Sequence, residues 1–150
     1  MTAGVLTEIE RALRVLTRPA RLRRLHDHLT RKAGLDLGRA EYVVLASLEE
    51  CGPMRVSDLA EHTGAEVSTT SRVVGRLQAA GLLAVGEQPE DRRVVMLTLT
   101  ERGREAMQRL RAVRREALAS VLSQWRPTEA EALARLLSRF VDDLHRFPDR

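Results

Sequence analysis

Residues 56–100 constrain this chain more than any other stretch. Two short segments of helical character, residues 57–62 and 66–80, are separated by Thr63-Gly64. Ser57 suits the N-cap or first turn of the former, and Leu59 and Ala60 supply its core face. Gly81 closes the latter, where a left-handed residue ends a helix. Two apolar runs follow, residues 82–85 and 94–99, on either side of Pro89-Glu90-Asp91-Arg92-Arg93. Turn residues and arginines between two such runs predict a hairpin with a cationic tip.

Helix, turn, helix and then such a hairpin describes a winged helix-turn-helix in a mainly α (α+β) chain. That shape serves duplex DNA: a helix fits the major groove, and an arginine on a thin loop fits the narrower minor groove. The fourth helix, 66–80, has two sides. Val67, Thr70, Val74 and Leu77 recur at steps of three and four and are expected to be buried. Ala65, Thr69, Arg72 and Arg76 recur on another side, with Ser68 beside Arg72. Small hydroxyls let a helix approach the groove, and the two arginines reach guanine edges or phosphates. In the wing, Asp91 is expected to pair with a neighbouring arginine and stiffen the tip. Arg92 and Arg93 are then offered to the negative potential of the minor groove. A solvated polar helix face and a charged hairpin tip are the plain alternatives, so the order of elements carries the argument.

Composition adds limits. The chain has 150 residues, enough for one domain or one domain with an oligomerisation element. No apolar run approaches the ~18 residues of a membrane span. The start, MTAGVLTEIERALR, lacks the apolar core of a secretory signal. One cysteine excludes an intramolecular disulfide, and these features together fit a cytoplasmic protein. Net charge is +4, which favours an anionic partner. Residues 55–100, however, hold five arginines (55, 72, 76, 92, 93) against six acids (58, 61, 66, 87, 90, 91), a balance of −1. DNA binding must therefore rest on where particular arginines sit. No Gly-rich phosphate loop, nucleophile motif or metal cluster is present, so no catalytic residue, metal or cofactor is expected.

The flanks read as helix. Residues 5–32 carry one stripe through Leu6, Ile9, Leu13, Leu16 and Ala20, continued by Leu22, Leu25 and Leu29. Pro19 should kink or restart this first helix near Thr17, and Gly34 ends it. Residues 39–50 form a second helix with Tyr42, Leu45 and Leu48 inward, stopped by Gly52-Pro53. Thr100 can cap a fifth helix running to about Leu122, with Met107, Leu110, Val113, Ala117 and Val121 on one side. Thr128-Glu129-Ala130-Glu131 reads as a capping box for a last helix whose apolar face holds Leu133, Leu136, Leu137, Phe140 and Leu144. The winged helix is too small to cover these stripes, which points to a two-fold homodimer over a monomer with folded-back helices.

Cys51-Gly52-Pro53, Val56-Ser57-Asp58-Leu59-Ala60, Ser71-Arg72-Val73-Val74-Gly75-Arg76-Leu77, Gly81-Leu82-Leu83 and Pro89-Glu90-Asp91-Arg92-Arg93 leading to Leu97-Thr98-Leu99-Thr100-Glu101-Arg102-Gly103 together resemble the MarR (multiple antibiotic resistance regulator) family. The Asp-Arg-Arg wing followed by Leu-Thr-x-x-Gly is the most specific piece. The resemblance implies a single MarR-type domain over 1–150, with dimerisation helices at 1–34 and 101–150 and the winged helix-turn-helix at 53–100. It implies a dimeric transcription regulator, usually a repressor, on a pseudo-palindromic operator in double-stranded DNA. Release by a small, often anionic aromatic, compound, an oxidant or a metal is common in the family. Ala84 stands where many relatives have a basic residue, and Gly38 where a Thr or Ser cap is usual.

For a signal, the resemblance favours a small ligand between the winged helix and the dimerisation helices, lined by His26, Leu29, Tyr42 and Leu45. The alternative is that these four simply build the core. Thiol-switched relatives carry their cysteine in the first helix, whereas Cys51 follows the second, with no flanking basic residue nearer than Arg55. Zinc-sensing relatives use a histidine pair in the fifth helix, which here has none; His26 and His28 point to different faces, and His62 and His145 lie apart. The rival from another class is a winged-helix module that binds protein partners without specific DNA binding, a reading the −1 balance favours.

Overall fold

The computed structural model describes residues 2–88 and 91–147, with backbone only for residues 87, 88 and 91–94. In chain order the elements are α1 (Ala3–Leu16), α2 (Pro19–Lys32), α3 (Arg39–Cys51), α4 (Val56–Thr63), α5 (Val67–Ala79), β1 (Leu83–Gln88), β2 (Asp91–Leu99), α6 (Glu101–Val121) and α7 (Pro127–His145). The chain forms two compact units, residues 1–113 and 114–150. The division falls inside α6.

The expected break at Pro19 is present. Thr17 closes α1 through its amide on the Leu13 carbonyl, and Pro19 opens α2 at its first position, where the missing N–H costs nothing. In the first unit, α3, α4 and α5 pack on one another, α5 on β1 and α3 on β2. Six fully buried leucines, Leu45, Leu59, Leu77, Leu83, Leu97 and Leu110, come from α3, α4, α5, β1, β2 and α6. Each contributes about 1.5–3 kcal/mol through burial. One leucine from each of six elements ties the helix-turn-helix and the base of the hairpin into one core.

The turn between α4 and α5 depends on Gly64, whose φ of +66° would strain a residue with a Cβ. The hairpin is antiparallel, with Leu83 opposite Leu99 and Val85 opposite Leu97; an irregularity lies between Glu87 and Gln88. Burial fades outward along it: Leu83 and Leu97 are in the core, while Val85 and Val95 are exposed. Met54 pairs with Leu97 through bonds of 3.3 and 2.9 Å, adding a third strand segment just before α4. Periodicity gave no sign of this one-residue bridge.

A clasp joins the two ends of the hairpin. The Thr100 hydroxyl donates to the Gly81 carbonyl at 2.7 Å and accepts the Gly103 amide at 3.0 Å. The Thr100 amide donates to the Leu82 carbonyl at 3.2 Å. Thr100 thus caps α6 as its sequence suggested, and in addition bonds the C-terminal turn of α5. A Cβ on Gly103 would overlap the Leu82 carbonyl, which explains glycine at that place in Leu-Thr-x-x-Gly.

In the second unit one expectation needs correction. The N-cap of α7 is Arg126, not Thr128, because Pro127 takes the first helical position. The Glu129 carboxylate then accepts the Arg126 amide at 2.9 Å and its guanidinium at 2.7 Å. These bonds, the side-chain one first, hold the Glu129 carboxyl below its ordinary 4.5. With its pKa lowered, the acid supports the cap above about pH 4.5 and loses that role as pH falls through the lowered value. Leu133, Leu136, Leu137, Phe140 and Leu144 share the apolar face of α7, and all are exposed.

Gly103→Ala should lower stability by about 1–3 kcal/mol, since backbone must move to admit the methyl group. Thermal or urea unfolding against the parent measures it; an unchanged midpoint would show that α6 can shift away from Leu82 without cost.

Candidate nucleic-acid interface

Helix α5 divides its residues by angle, about 100° per residue. Thr70, Val73, Val74 and Leu77 are buried against the core. Val67, expected to be buried, is instead 50% exposed, because it opens the helix and projects past the packed turn; Val73 takes the inward place. Ser68, Thr69, Ser71, Arg72, Gly75 and Arg76 are exposed on the other side. Ala65 also lies in the open, but in the turn before the helix. The polar face is thus real and continuous. Its small residues lie toward the N-terminus and its arginines further along.

The two arginines differ. Arg72 has no hydrogen bond or ion pair among the described residues. Arg76 donates through Nε to Glu41 Oε1 on α3 at 2.7 Å. Sequence reading missed Glu41, which is thirty-five positions away and belongs to a different periodic pattern. In the wing, Asp91, Arg92 and Arg93 open β2, beside the pairing irregularity. The expected pairing of Asp91 and the aim of both arginines concern side chains outside the described residues.

Of the four residues assigned to a ligand, His26 and Tyr42 are in ring contact. His26, Leu29 and Leu45 are buried and Tyr42 is half-buried. His26 Nε2 lies 2.8 Å from the Leu37 carbonyl, so that nitrogen carries the proton, and its ring centroid is 5.7 Å from that of Tyr42. These are the contacts of a satisfied core histidine. A separate open cleft of about 410 Å³ lies between α3, the α4–α5 turn and α5, lined by Val43, Val44, Thr69, Thr70 and Val73 with Arg39 at its edge. Sequence reading did not single out Arg39.

Cys51 is exposed at the end of α3, and the fold brings His62 Nε2 to 3.9 Å from its sulfur. Sequence neighbours alone had suggested no basic group closer than Arg55. Among the described residues no three His, Cys, Asp or Glu side chains gather as metal ligands, and no helix is long and apolar enough to cross a membrane.

Comparison with known proteins follows the same lines. The MarR family model matches residues 37–95, from the start of α3 into the wing. The transcriptional regulator YxaD of Bacillus subtilis is 34% identical over 111 residues, covering 71% of this chain and 78% of that protein. A MarR family protein from Bacillus stearothermophilus has a structure similar to this one at a TM-score of 0.85, with 24% identity over 97% of this chain and 99% of that one. BpsR of Bordetella bronchiseptica, whose DNA binding is regulated by 6-hydroxynicotinic acid, is 29% identical, with a TM-score of 0.59 over 89% of this chain and 98% of that one.

Proposed function

The chain belongs to the MarR family of transcriptional regulators, and we propose that it binds a pseudo-palindromic operator as a homodimer and represses nearby genes until a small-molecule effector releases it. One observation carries the DNA reading: the outward face of α5 holds Ser68, Thr69, Arg72 and Arg76, while its inward face is locked in the core. On this reading α5 enters the major groove, where Arg72 reads a base edge and the hydroxyls meet phosphates. Arg93 enters the flanking minor groove, Arg92 touches phosphate, and Asp91 orients one of the two.

The dimer rests on apolar surface. No residue of α1 or α7 is buried in the single chain. Val5, Leu6, Ile9 and Leu16 on α1, and Leu136, Leu137, Phe140 and Leu144 on α7, are open. Apolar stripes of this length mark an interface, and a two-fold copy is the simplest cover.

The effector reading is supported by the likeness to BpsR. His26, Leu29, Tyr42 and Leu45 are the contacts that the family resemblance nominates. Three of them are closed into the core, so a ligand would have to part α2 from α3 at Tyr42. The cleft beside α5 favours a second location. It is already open, falls within the usual volume of small-molecule sites, and has Arg39 among its lining residues. The rival function, a protein-binding winged helix, draws on the −1 balance of residues 55–100.

Binding, substitution and truncation experiments test the proposal. Binding to a duplex carrying an inverted repeat, with half-sites centred ~10 bp apart, should weaken steeply with salt. Arg72→Ala should cost about 1–3 kcal/mol and relax one position in each half-site. Arg93→Ala should weaken binding broadly, most on A·T-rich flanks, and Asp91→Ala less. Salt-independent association with duplex DNA, or footprints with no protection at the outer flanks, would count against groove and wing readout respectively. Deleting residues 129–150 should give insoluble or monomeric protein without operator binding. Sedimentation of an intact dimer after that truncation would remove the assigned interface.

A further inference from the structure

The Glu41 carboxylate is placed by two constraints at once. Oε1 accepts Arg76 Nε at 2.7 Å, and Oε2 lies over Gly38, the N-cap of α3, where any Cβ would overlap it. A Cβ at residue 38 would therefore require the Glu41 carboxylate to shift. Glu41 is mostly covered, with its side chain 18% exposed, whereas Arg76 is 59% exposed. Arg76 Nη1 and Nη2 have no hydrogen bond among the described residues. The guanidinium is thus held by its inner nitrogen, with its outer nitrogens unbonded among the described residues.

We propose that Glu41 is a positioning residue for DNA recognition: it withholds Arg76 from phosphates and holds its outer nitrogens toward a base edge. This rests on the DNA-binding reading above. A guanidinium already neutralised by a carboxylate releases little counterion on meeting a phosphate, so it adds little sequence-independent affinity. A guanidinium with one fixed approach can still donate two bonds to guanine O6 and N7. Glu41 thereby trades general affinity for discrimination, and Gly38 leaves its carboxylate room in this position.

The test is the salt dependence of binding to operator and to unrelated duplex, measured on the full chain. Glu41→Ala should steepen the slope of log K against log salt by about 0.9 for each Arg76 released, about 1.8 per dimer. It should raise affinity for unrelated duplex at low salt and cut the operator-to-unrelated ratio by roughly tenfold. Glu41→Gln keeps an acceptor and the side-chain shape, so it should retain more of the ratio. Gly38→Ala should move slope and ratio in the same direction as Glu41→Ala with no change of charge. In an Arg76→Ala background Glu41→Ala should leave the slope unchanged. A slope change that persists in that background would mean that Glu41 acts only as a general charge and would overturn the proposal, as would a parent-like slope and ratio in Glu41→Ala. Absence of salt-dependent duplex binding by the parent protein would overturn the functional reading itself and this inference with it.

Discussion

The Thr100 hydroxyl is the small interaction on which the arrangement of this molecule depends. It donates to a carbonyl at the end of α5 and accepts an amide at the start of α6, so one side chain satisfies two helix termini. The hairpin leaves the chain at Gly81 and returns at Thr100, and the clasp fixes both points against each other. The contact also brings backbone against backbone, which is why Gly103 cannot carry a Cβ. It reinforces the base of the wing, which Leu83 and Leu97 already bury in the core. With it, the base of the wing and the exposed face of α5 belong to one packed unit.

Charge is used sparingly around that unit. The whole chain is +4, yet residues 55–100 are −1. The ion pair with Glu41 lowers the free positive charge on α5 further, leaving Arg72 as the guanidinium without a partner among the described residues of that helix. A protein that relied on bulk charge would hold DNA tightly and indiscriminately, since phosphate contacts carry no sequence information. The arrangement here suits a protein whose affinity depends on a few placed donors.

Much of this was legible in the sequence, and the misses have physical causes. Glycine and proline punctuation located the ends of α2, α3, α4 and α5, because those residues act locally on φ and on backbone bonding. Thr100 as a cap was legible for the same reason. The side of α5 facing outward followed from periodicity, but Val67 did not obey it: at the first turn no packed neighbour enforces the pattern. The Thr128 box failed because Pro127 competes for the first helical position, and Glu129 then reaches back to Arg126. Met54 with Leu97 and Glu41 with Arg76 join residues far apart in the chain, which a local pattern does not encode. His26 was read in the sequence as lining a ligand site or building the core; that its partner is the Leu37 carbonyl was not legible.

The second unit poses the remaining physical question. Residues 114–150 comprise the end of α6 and all of α7, and no residue of α7 is fully buried. Chains below about 40 residues rarely build a stabilising core alone. Yet Leu118, Val121, Trp125, Leu136, Leu137, Phe140 and Leu144 lie exposed there, together with a well-formed cap at Arg126 and Glu129. Capping contributes to forming a helix, but it does not cover an apolar face. Covering these residues would add burial free energy that the single copy lacks. If a second copy supplies that surface, as proposed, folding of these helices and association become one equilibrium, and the fraction competent to bind an operator depends on protein concentration. A ligand that alters how two copies meet would then act on DNA binding without touching α5.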